Sequence, residues 1–208
     1  MGRVALGQVV IINGEQNGRR RPDSLARLKQ AARKVFVERG YDATRPQDIA
    51  REAGLGHGTF YLHYPDKRAC FLGFVEDARR ELGEQVRGRL LPNAGLEERI
   101  AAVLGAVCDY ADRHPGVLRA AMTDGRVIDA EGVETQSLLM AWGLDWAETL
   151  RGAARNGSTS DRLNPDIIGQ AIAGALYQAG QDRSRSGRSR EELVDTLTVF
   201  LARALRPD

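Results

Sequence analysis

Side chains able to form specific polar contacts are concentrated between residues 44 and 67, where hydroxyl, imidazole, phenol and cationic groups alternate with glycines. They form no nucleophile–base pair, no metal-ligand spacing and no phosphate-binding loop, so catalysis is not indicated. Hydroxyl and imidazole groups can hydrogen-bond to base edges, and cations and phenols can contact phosphates. The candidate DNA contacts are Thr44, Arg45, Gln47, Gly56, His57, Gly58, Thr59, Tyr61, His63 and Lys67.

Two short helices joined at a glycine corner would position these groups. Thr44 and Gln47 have the spacing of a capping box, which predicts that the first helix opens at Thr44. Gly54 supplies the corner, and the second helix is expected from Gly56 or His57 to His63. The pattern predicts a helix-turn-helix over residues 45–64, whose second helix enters the major groove.

The second helix has two faces. Phe60 and Tyr64 are four residues apart and are expected to enter the core, whereas Thr59, Tyr61 and His63 lie off that face. This helix therefore divides into a scaffold side and a DNA-reading side.

Helical periodicity continues through the rest of the chain. A helix from Asp23 or Ser24 to Gly40 precedes the helix-turn-helix, and no alternating strand pattern occurs. The chain is predicted to be all-α, with later helices at about 67–90, 96–113, 115–123, 131–155, 165–181 and 190–205.

Charge is distributed unevenly along the 208 residues. Residues 1–70 hold 13 Lys and Arg against 7 Asp and Glu, whereas the remainder is mildly acidic. A basic N-terminal part is typical of a polyanion-binding region. With 42% hydrophobic residues, no apolar run near the ~20 residues of a membrane span and no signal peptide, we expect a cytoplasmic globular protein. Two cysteines, Cys70 and Cys108, predict buried free thiols.

Three segments between residues 24 and 72 resemble the DNA-binding region of the TetR family of transcriptional regulators. They are A-A-R-K-V-F-V-E-R-G-Y, D-I-A-R-E-A-G-L and G-T-F-Y-L-H-Y-P-D-K. The resemblance implies a homodimer of two-domain, all-α subunits, in which three N-terminal helices bind a DNA operator. A larger C-terminal bundle would bind a small-molecule effector and pair the subunits, and no cofactor is implied.

Carried over by position, the resemblance assigns DNA contacts to Thr44, Arg45, Thr59, Tyr61, His63 and Lys67. The chain departs from the family at Arg45, often a threonine, at Gly56-His57, often Ser-Lys, and at Tyr64, usually phenylalanine. His57 therefore leaves the base preference open.

The C-terminal part holds large side chains that either line a ligand pocket or pack in an ordinary core. They are Tyr110, Met122, Met140, Trp142, Trp146 and Tyr177, with Asp109, His114, Arg119 and Asp145 as polar anchors or exposed residues. Apolar stripes on the last two helices predict a dimer surface, or alternatively packing within one subunit. The candidate interface residues are Ile168, Ile172, Ala175, Leu176, Leu197, Phe200 and Leu201.

The expected organisation is a flexible basic arm at 1–22, the DNA-binding domain at 23–69 and a ligand-binding and dimerisation domain at 70–208. The predicted function is a ligand-responsive repressor on a palindromic operator. The alternative is a constitutive DNA-binding protein or an activator without an effector.

Overall fold

The computed structural model describes residues 15–123 and 138–207, and every regular element in those two ranges is an α-helix. The predicted fold class is confirmed: an N-terminal helix-turn-helix is followed by a C-terminal helical unit. In chain order the helices are α1 (Glu15–Arg39), α2 (Pro46–Glu52), α3 (His57–Tyr61), α4 (Lys67–Arg89), α5 (Leu96–Arg113), α6 (Val117–Thr123), α7 (Leu138–Arg155), α8 (Pro165–Ser186) and α9 (Arg190–Ala204).

Two helices are longer than predicted. Helix α1 begins at Glu15 rather than at Asp23 or Ser24 and continues through Pro22, so part of the predicted flexible arm is helical. Proline removes one backbone hydrogen bond but does not always end a helix. Helix α8 continues beyond residue 181 until Gly187, whose φ of 70° is the left-handed stop that glycine adopts easily. Residues 1–14 of the predicted arm and 131–137 of the predicted seventh helix lie outside the described ranges.

The start of α2 also differs from the prediction. Arg45, not Thr44, is the N-cap, with extended backbone angles, and Pro46 occupies the first turn. The Arg45 backbone N–H donates to Asp48 Oδ2 at 3.2 Å, so Asp48 takes the reciprocal position predicted for Gln47. The capping box predicted at Thr44 is therefore wrong, because the Thr44 hydroxyl instead donates to the Gly40 carbonyl at 2.6 Å.

A single core joins the helix-turn-helix to the helices that follow. Phe36 on α1 meets Phe71 on α4 edge to face, with ring centroids 5.1 Å apart. Phe60 on α3, Tyr110 on α5 and Leu138 on α7 belong to the same buried cluster. A second core lies between α5, α7, α8 and α9 and is built from Ile100, Leu104, Trp146, Leu150, Ile172, Leu176, Leu201 and Leu205.

Helices α7 and α8 approach closely at a pair of glycines. A Cβ atom on Gly169 would collide with the Gly143 carbonyl oxygen and lie 2.8 Å from the backbone nitrogen of Ala147. A Cβ atom on Gly143 would overlap the Gln170 side chain. Only residues without a side chain permit this separation of the two helix backbones.

The cysteine prediction is confirmed, since Cys70 and Cys108 are both free and buried. Burial raises the pKa of the Cys70 thiol to about 12 and also raises that of Cys108. Within the two described ranges, no helix combines the length and apolar character that a membrane span requires.

Candidate DNA-binding surface and effector cavity

The corner between α2 and α3 is fixed by backbone geometry and by one arginine. Gly54 has a φ of +63°, in the left-handed region that glycine reaches without strain. Arg27 on α1 donates from Nη2 to the carbonyl oxygens of Ala53 and Gly54, at 2.5 and 3.1 Å. A cation at the C-terminal end of α2 also complements the partial negative charge of that helix end. Arg27 thereby holds the angle at which α3 leaves α2.

We expect Gly54→Ala to destabilise the protein by about 1–2 kcal/mol, the cost of a left-handed non-glycine residue. The added Cβ would also lie 2.8 Å from the Arg27 guanidinium and displace it from the corner. Urea denaturation measures the loss. The control is Gly157→Ala, which carries the same backbone strain (φ +72°) but has no atom within 4 Å of the new Cβ. Equal losses in the two variants would show that Arg27 adds nothing at the corner.

The leading turn of α3 faces solvent. Gly56, His57 and Gly58 are exposed, and Tyr61 one turn later is 48% exposed. The His57 and Tyr61 rings meet edge to face with centroids 5.1 Å apart, so they form one continuous surface. On the opposite side, Phe60 is fully buried with its ring 5.6 Å from that of Tyr64, as the predicted inner face requires. Burial raises the pKa of the Tyr64 phenol to about 12.

Two predicted contacts are partly buried at the edge of this surface. Thr59 is partly buried on α3. His63 follows α3, and its Nε2 lies 2.8 Å from the Ser24 hydroxyl near the N-terminal part of α1. The His63 imidazole is therefore also part of the contact between α1 and the end of α3.

Two other predicted contacts have structural roles in the free protein. Thr44 is only 1% exposed, and its hydroxyl is bound to Gly40. The Lys67 ammonium group donates to the Tyr41 carbonyl at 2.8 Å and lies 4.1 Å from the centroid of the Tyr41 ring. The prediction of Thr44 as a side-chain phosphate contact is wrong for this conformation, because its side chain is inside the protein.

Arg45 and Gln47 complete the surface at the start of α2. Both side chains are exposed. No ion pair involves Arg45 among the residues that the structure describes, so its guanidinium is available to an anion.

The comparisons with known proteins agree with this arrangement. The family model described as "Bacterial regulatory proteins, tetR family" matches residues 28–73, which cover the corner and both flanking helices. The DNA-binding region of this chain, residues 28–73, belongs to the TetR family.

Relatives extend the similarity beyond the matched region. The repressor DhaR of Mycobacterium sp. (strain GP1) is 25% identical over 83% of this chain and 87% of its own length. YvdT of Bacillus subtilis (strain 168), an HTH-type transcriptional regulator, is 23% identical over 86% of this chain and 93% of its own. The fold resembles that of the fatty acid degradation regulator FadR from Bacillus halodurans, with a TM-score of 0.73, 20% identity and coverage of 88% and 100% of the two chains.

With this TetR-type region, the protein is a DNA-binding transcriptional regulator. Its C-terminal unit contains a cavity of about 860 Å³ between α4, α5 and α7. Trp142, Trp146 and Asp145 line it, as predicted. Cavities of this volume accommodate small organic ligands.

The other predicted pocket residues lie elsewhere. Tyr110 and Met122 are buried in the core, Met140 is exposed on α7, and Tyr177 packs against the core without lining the cavity. Size and apolar character place a side chain inside the protein but do not separate core from cavity wall. The predicted anchors Asp109, His114 and Arg119 are also absent from the wall, and Asp109 instead pairs with Arg89 and Arg190.

Tyr110 joins an ionic group that connects three helices. The Arg33 guanidinium on α1 binds the Glu81 carboxylate on α4 at 2.9 Å, and the Tyr110 hydroxyl on α5 donates to the same carboxylate at 2.8 Å. Burial and the hydrogen bond to Glu81 raise the pKa of Tyr110. This group connects the helix-turn-helix unit directly to the helices around the cavity.

The predicted dimer residues fall into two groups. Ile172, Leu176 and Leu201 are between 2% and 6% exposed and belong to the core of their own subunit, so their assignment to a partner surface is wrong. Phe200 is 58% exposed, and Ile168, Ala175 and Leu197 are partly exposed. An apolar surface remains on α8 and α9, with Ile167 and Val199 exposed beside these residues.

Sequence reasoning missed four arginines of interest: Arg27 at the corner, Arg33 in the ionic group, and Arg87 and Arg99 at the cavity wall. Arg27 and Arg33 act through partners more than 20 residues away in sequence, whereas Arg87 and Arg99 line a cavity that forms only when distant helices pack together. No local spacing distinguishes them from ordinary solvated arginines.

Proposed function

We propose that the protein is a ligand-responsive repressor that binds a palindromic operator as a homodimer and releases it when a small molecule occupies the cavity. A site of action in the cytoplasm follows from its proposed binding to DNA. The relative DhaR is a repressor, and the exposed face of α3 supplies a surface that fits the major groove.

The observation that carries the proposal is that α4 belongs to both units. Cys70, Phe71 and Phe74 near its start are buried with the helix-turn-helix core. Leu82, Val86 and Leu90 towards its end line the cavity. A ligand that changes the position of the C-terminal half of α4 therefore acts on the base of the DNA-binding helices. It shifts the equilibrium only if it binds the two conformations with different affinity.

For DNA recognition, we assign base contacts to the leading turn of α3 and phosphate contacts to its flanks. His57 and Thr59 have hydrogen-bonding groups for base edges, and Gly56 and Gly58 let the backbone approach. Tyr61 and His63 can contact phosphates of one DNA strand, and Arg45 and Gln47 at the start of α2 can contact phosphates of the other strand. In this assignment Thr44 and Lys67 hold the loop before α2.

For dimerisation, we assign the exposed apolar surface of α8 and α9. Ile167, Val199 and Phe200 would be covered by the same residues of a second subunit, as a two-fold interface requires. Such a dimer presents two α3 helices about 34–36 Å apart, one turn of the DNA duplex. The alternative, DNA binding or activation without an effector, gives no role to the cavity beside α4.

Footprinting on the DNA upstream of the protein's own gene tests the proposal. We expect protection of two half-sites related by a two-fold axis and loss of protection with Tyr61→Ala. Phe200→Asp should yield a monomer by sedimentation and weaken protection without unfolding the subunit, because Phe200 is exposed. Protection that is unchanged in Tyr61→Ala would contradict the assignment of α3.

We expect Arg45→Ala to weaken operator binding and to reduce its salt dependence. Each phosphate contact contributes about 0.9 to the slope of log K against log salt concentration, so a dimer that loses two contacts should lose about 1.8. Fluorescence anisotropy with labelled operator at several salt concentrations measures the slope. Arg185→Ala is the matched control, since Arg185 is an exposed arginine near the C-terminal end of α8 and lies outside the helix-turn-helix. An unchanged slope in Arg45→Ala would exclude a phosphate contact there.

A further inference from the structure

The wall of the cavity is mostly hydrocarbon. Its apolar side chains come from three helices and one adjoining residue: Leu82 and Val86 on α4 with Leu90 directly after it, Leu96, Ile100 and Val103 on α5, and Leu138, Trp142 and Trp146 on α7. The α4 side chains that line it, from Arg79 to Leu90, span about 16 Å at the rise of an α-helix. An elongated apolar body fits such a wall.

The charges at the wall are unbalanced. Both carboxylates that line the cavity within the described ranges are already paired: Asp145 with Arg79 at 3.1 Å, and Glu148 with Arg151 at 3.3 Å. Arg87 makes no ion pair or side-chain hydrogen bond within residues 15–123 and 138–207. Among the described residues, the wall therefore carries more positive than negative side chains.

Arg99 adds a second cation without a carboxylate partner in the described part of the chain. Its Nε and Nη2 atoms donate to the carbonyl oxygens of Ala94 and Pro92, at 2.8 and 3.2 Å. Backbone carbonyls fix the side chain but leave its charge uncompensated. A guanidinium held in this way retains donors for a planar anion and loses little further conformational entropy when it binds one.

Arg87 and Arg99 both line the cavity and are both exposed, so they lie at its solvent-facing rim. Arg87 is on the last turns of α4, and Arg99 is on the first turns of α5, with the connecting loop between them also at the wall. Arg87 Nη1 lies 3.3 Å from where a Gly83 side chain would begin, so a larger residue at 83 would crowd it. Leu82 and Leu138 are buried, and they belong both to the wall and to the core shared with the helix-turn-helix.

We propose that the cavity binds an amphipathic anion, with a carboxylate or phosphate head group at Arg87 and Arg99 on the exposed rim and a hydrocarbon body directed inwards to the buried side chains of Leu82 and Leu138. Arginine binds both kinds of head group through paired, charge-assisted hydrogen bonds. The inference rests on the proposed function, because it names the chemical class of the effector. The hydrocarbon body would then contact the part of α4 that adjoins the DNA-binding unit.

Binding of matched probes to the full-length protein tests the proposal, with Trp142 and Trp146 at the wall as fluorescent reporters. The probes are laurate, lauryl phosphate, lauryl alcohol and lauryltrimethylammonium, which share one hydrocarbon chain. At least one of the two anions should bind about tenfold or more tightly than the alcohol, and the cation should bind weakest. Arg87→Gln should abolish most of this preference, whereas Arg185→Gln, distant from the cavity, should retain it.

The outcomes separate the two proposals when operator binding is measured on the same samples. Laurate binding above lauryl phosphate, or the reverse, identifies the head group and supports the inference. Equal binding of the alcohol and both anions, a preference unchanged in Arg87→Gln, or no binding of any probe overturns it. If the protein binds operator but no probe, the inference fails alone. If an anion binds with the expected preference but no operator DNA is bound, the proposed function fails instead.

Discussion

Phe60→Ala should destabilise the protein by about 3–5 kcal/mol and abolish operator binding. Phe60 is fully buried and packs its ring against Tyr61 and Tyr64. Helix α3 has only five residues, too few to be stable without tertiary packing. Loss of the ring therefore leaves a cavity and releases the recognition helix. Urea denaturation and anisotropy with labelled operator measure the two effects.

Substitution of the neighbouring residue, Tyr61, is the comparison for Phe60→Ala. Tyr61→Ala removes a ring that is half exposed, so the loss of stability should stay below about 1 kcal/mol while operator binding is lost. The two residues are adjacent in sequence, but the Phe60 ring is fully buried whereas the Tyr61 ring is 48% exposed. If both variants reduced stability equally, the division of α3 into an inner and an outer face would be incorrect.

Gly169→Ala should reduce stability by about 3 kcal/mol, although alanine normally favours a helix over glycine. The new methyl group would meet the backbone of α7 at Gly143 and Ala147, and backbone atoms cannot move aside as a flexible side chain can. The two helices must separate, and the core around Trp146 and Ile172 loses contacts. Chemical denaturation at a fixed protein concentration measures the change.

Gly180→Ala on the same helix is the control for this prediction. No atom lies within 4 Å of the added Cβ, so only the backbone preference acts and stability should rise by up to about 1 kcal/mol. Opposite signs at the two glycines are expected. A gain at Gly169 would show that α7 and α8 tolerate a wider separation than the structure has.

Local patterns in the sequence predicted the helix-turn-helix well. The Phe60/Tyr64 spacing identified the inner face, and Gly54 identified the corner whose backbone is left-handed. Those signals depend on residues close in sequence, where periodicity and glycine conformation dominate. Helix α4 was likewise predicted from Lys67 to within one residue of its observed end at Arg89, because its apolar spacing is regular.

The cavity was only partly predictable because its wall depends on how distant helices pack. Trp142 was identified, but Tyr110 proved to be a core residue held by Glu81, and Arg87 was not identified. A large side chain at helical spacing is equally compatible with a core and with a pocket. Thr44 also shows that local spacing is not sufficient for such a prediction. Its separation from Gln47 is that of a capping box, but its hydroxyl donates a hydrogen bond to the Gly40 carbonyl instead.

The dimer prediction failed partly for a related reason. When apolar residues cover two faces of a helix, the sequence does not show which face packs inside the subunit and which is left for a partner subunit. Ile172 lies in the subunit core, whereas Phe200 on the neighbouring helix is exposed. Only the packing of α8 and α9 against α5 and α7 separates the two faces.

The continuous core across α1 to α7 has a consequence for how the chain folds. Phe71, Tyr110 and Leu138 belong to the same cluster as Phe60, although they lie beyond residue 69, where the predicted DNA-binding domain ends. The recognition unit therefore has no apolar interior of its own that is independent of the rest. A truncated chain ending at residue 69 would expose much of that cluster, and the intact subunit should melt in one cooperative calorimetric transition rather than two.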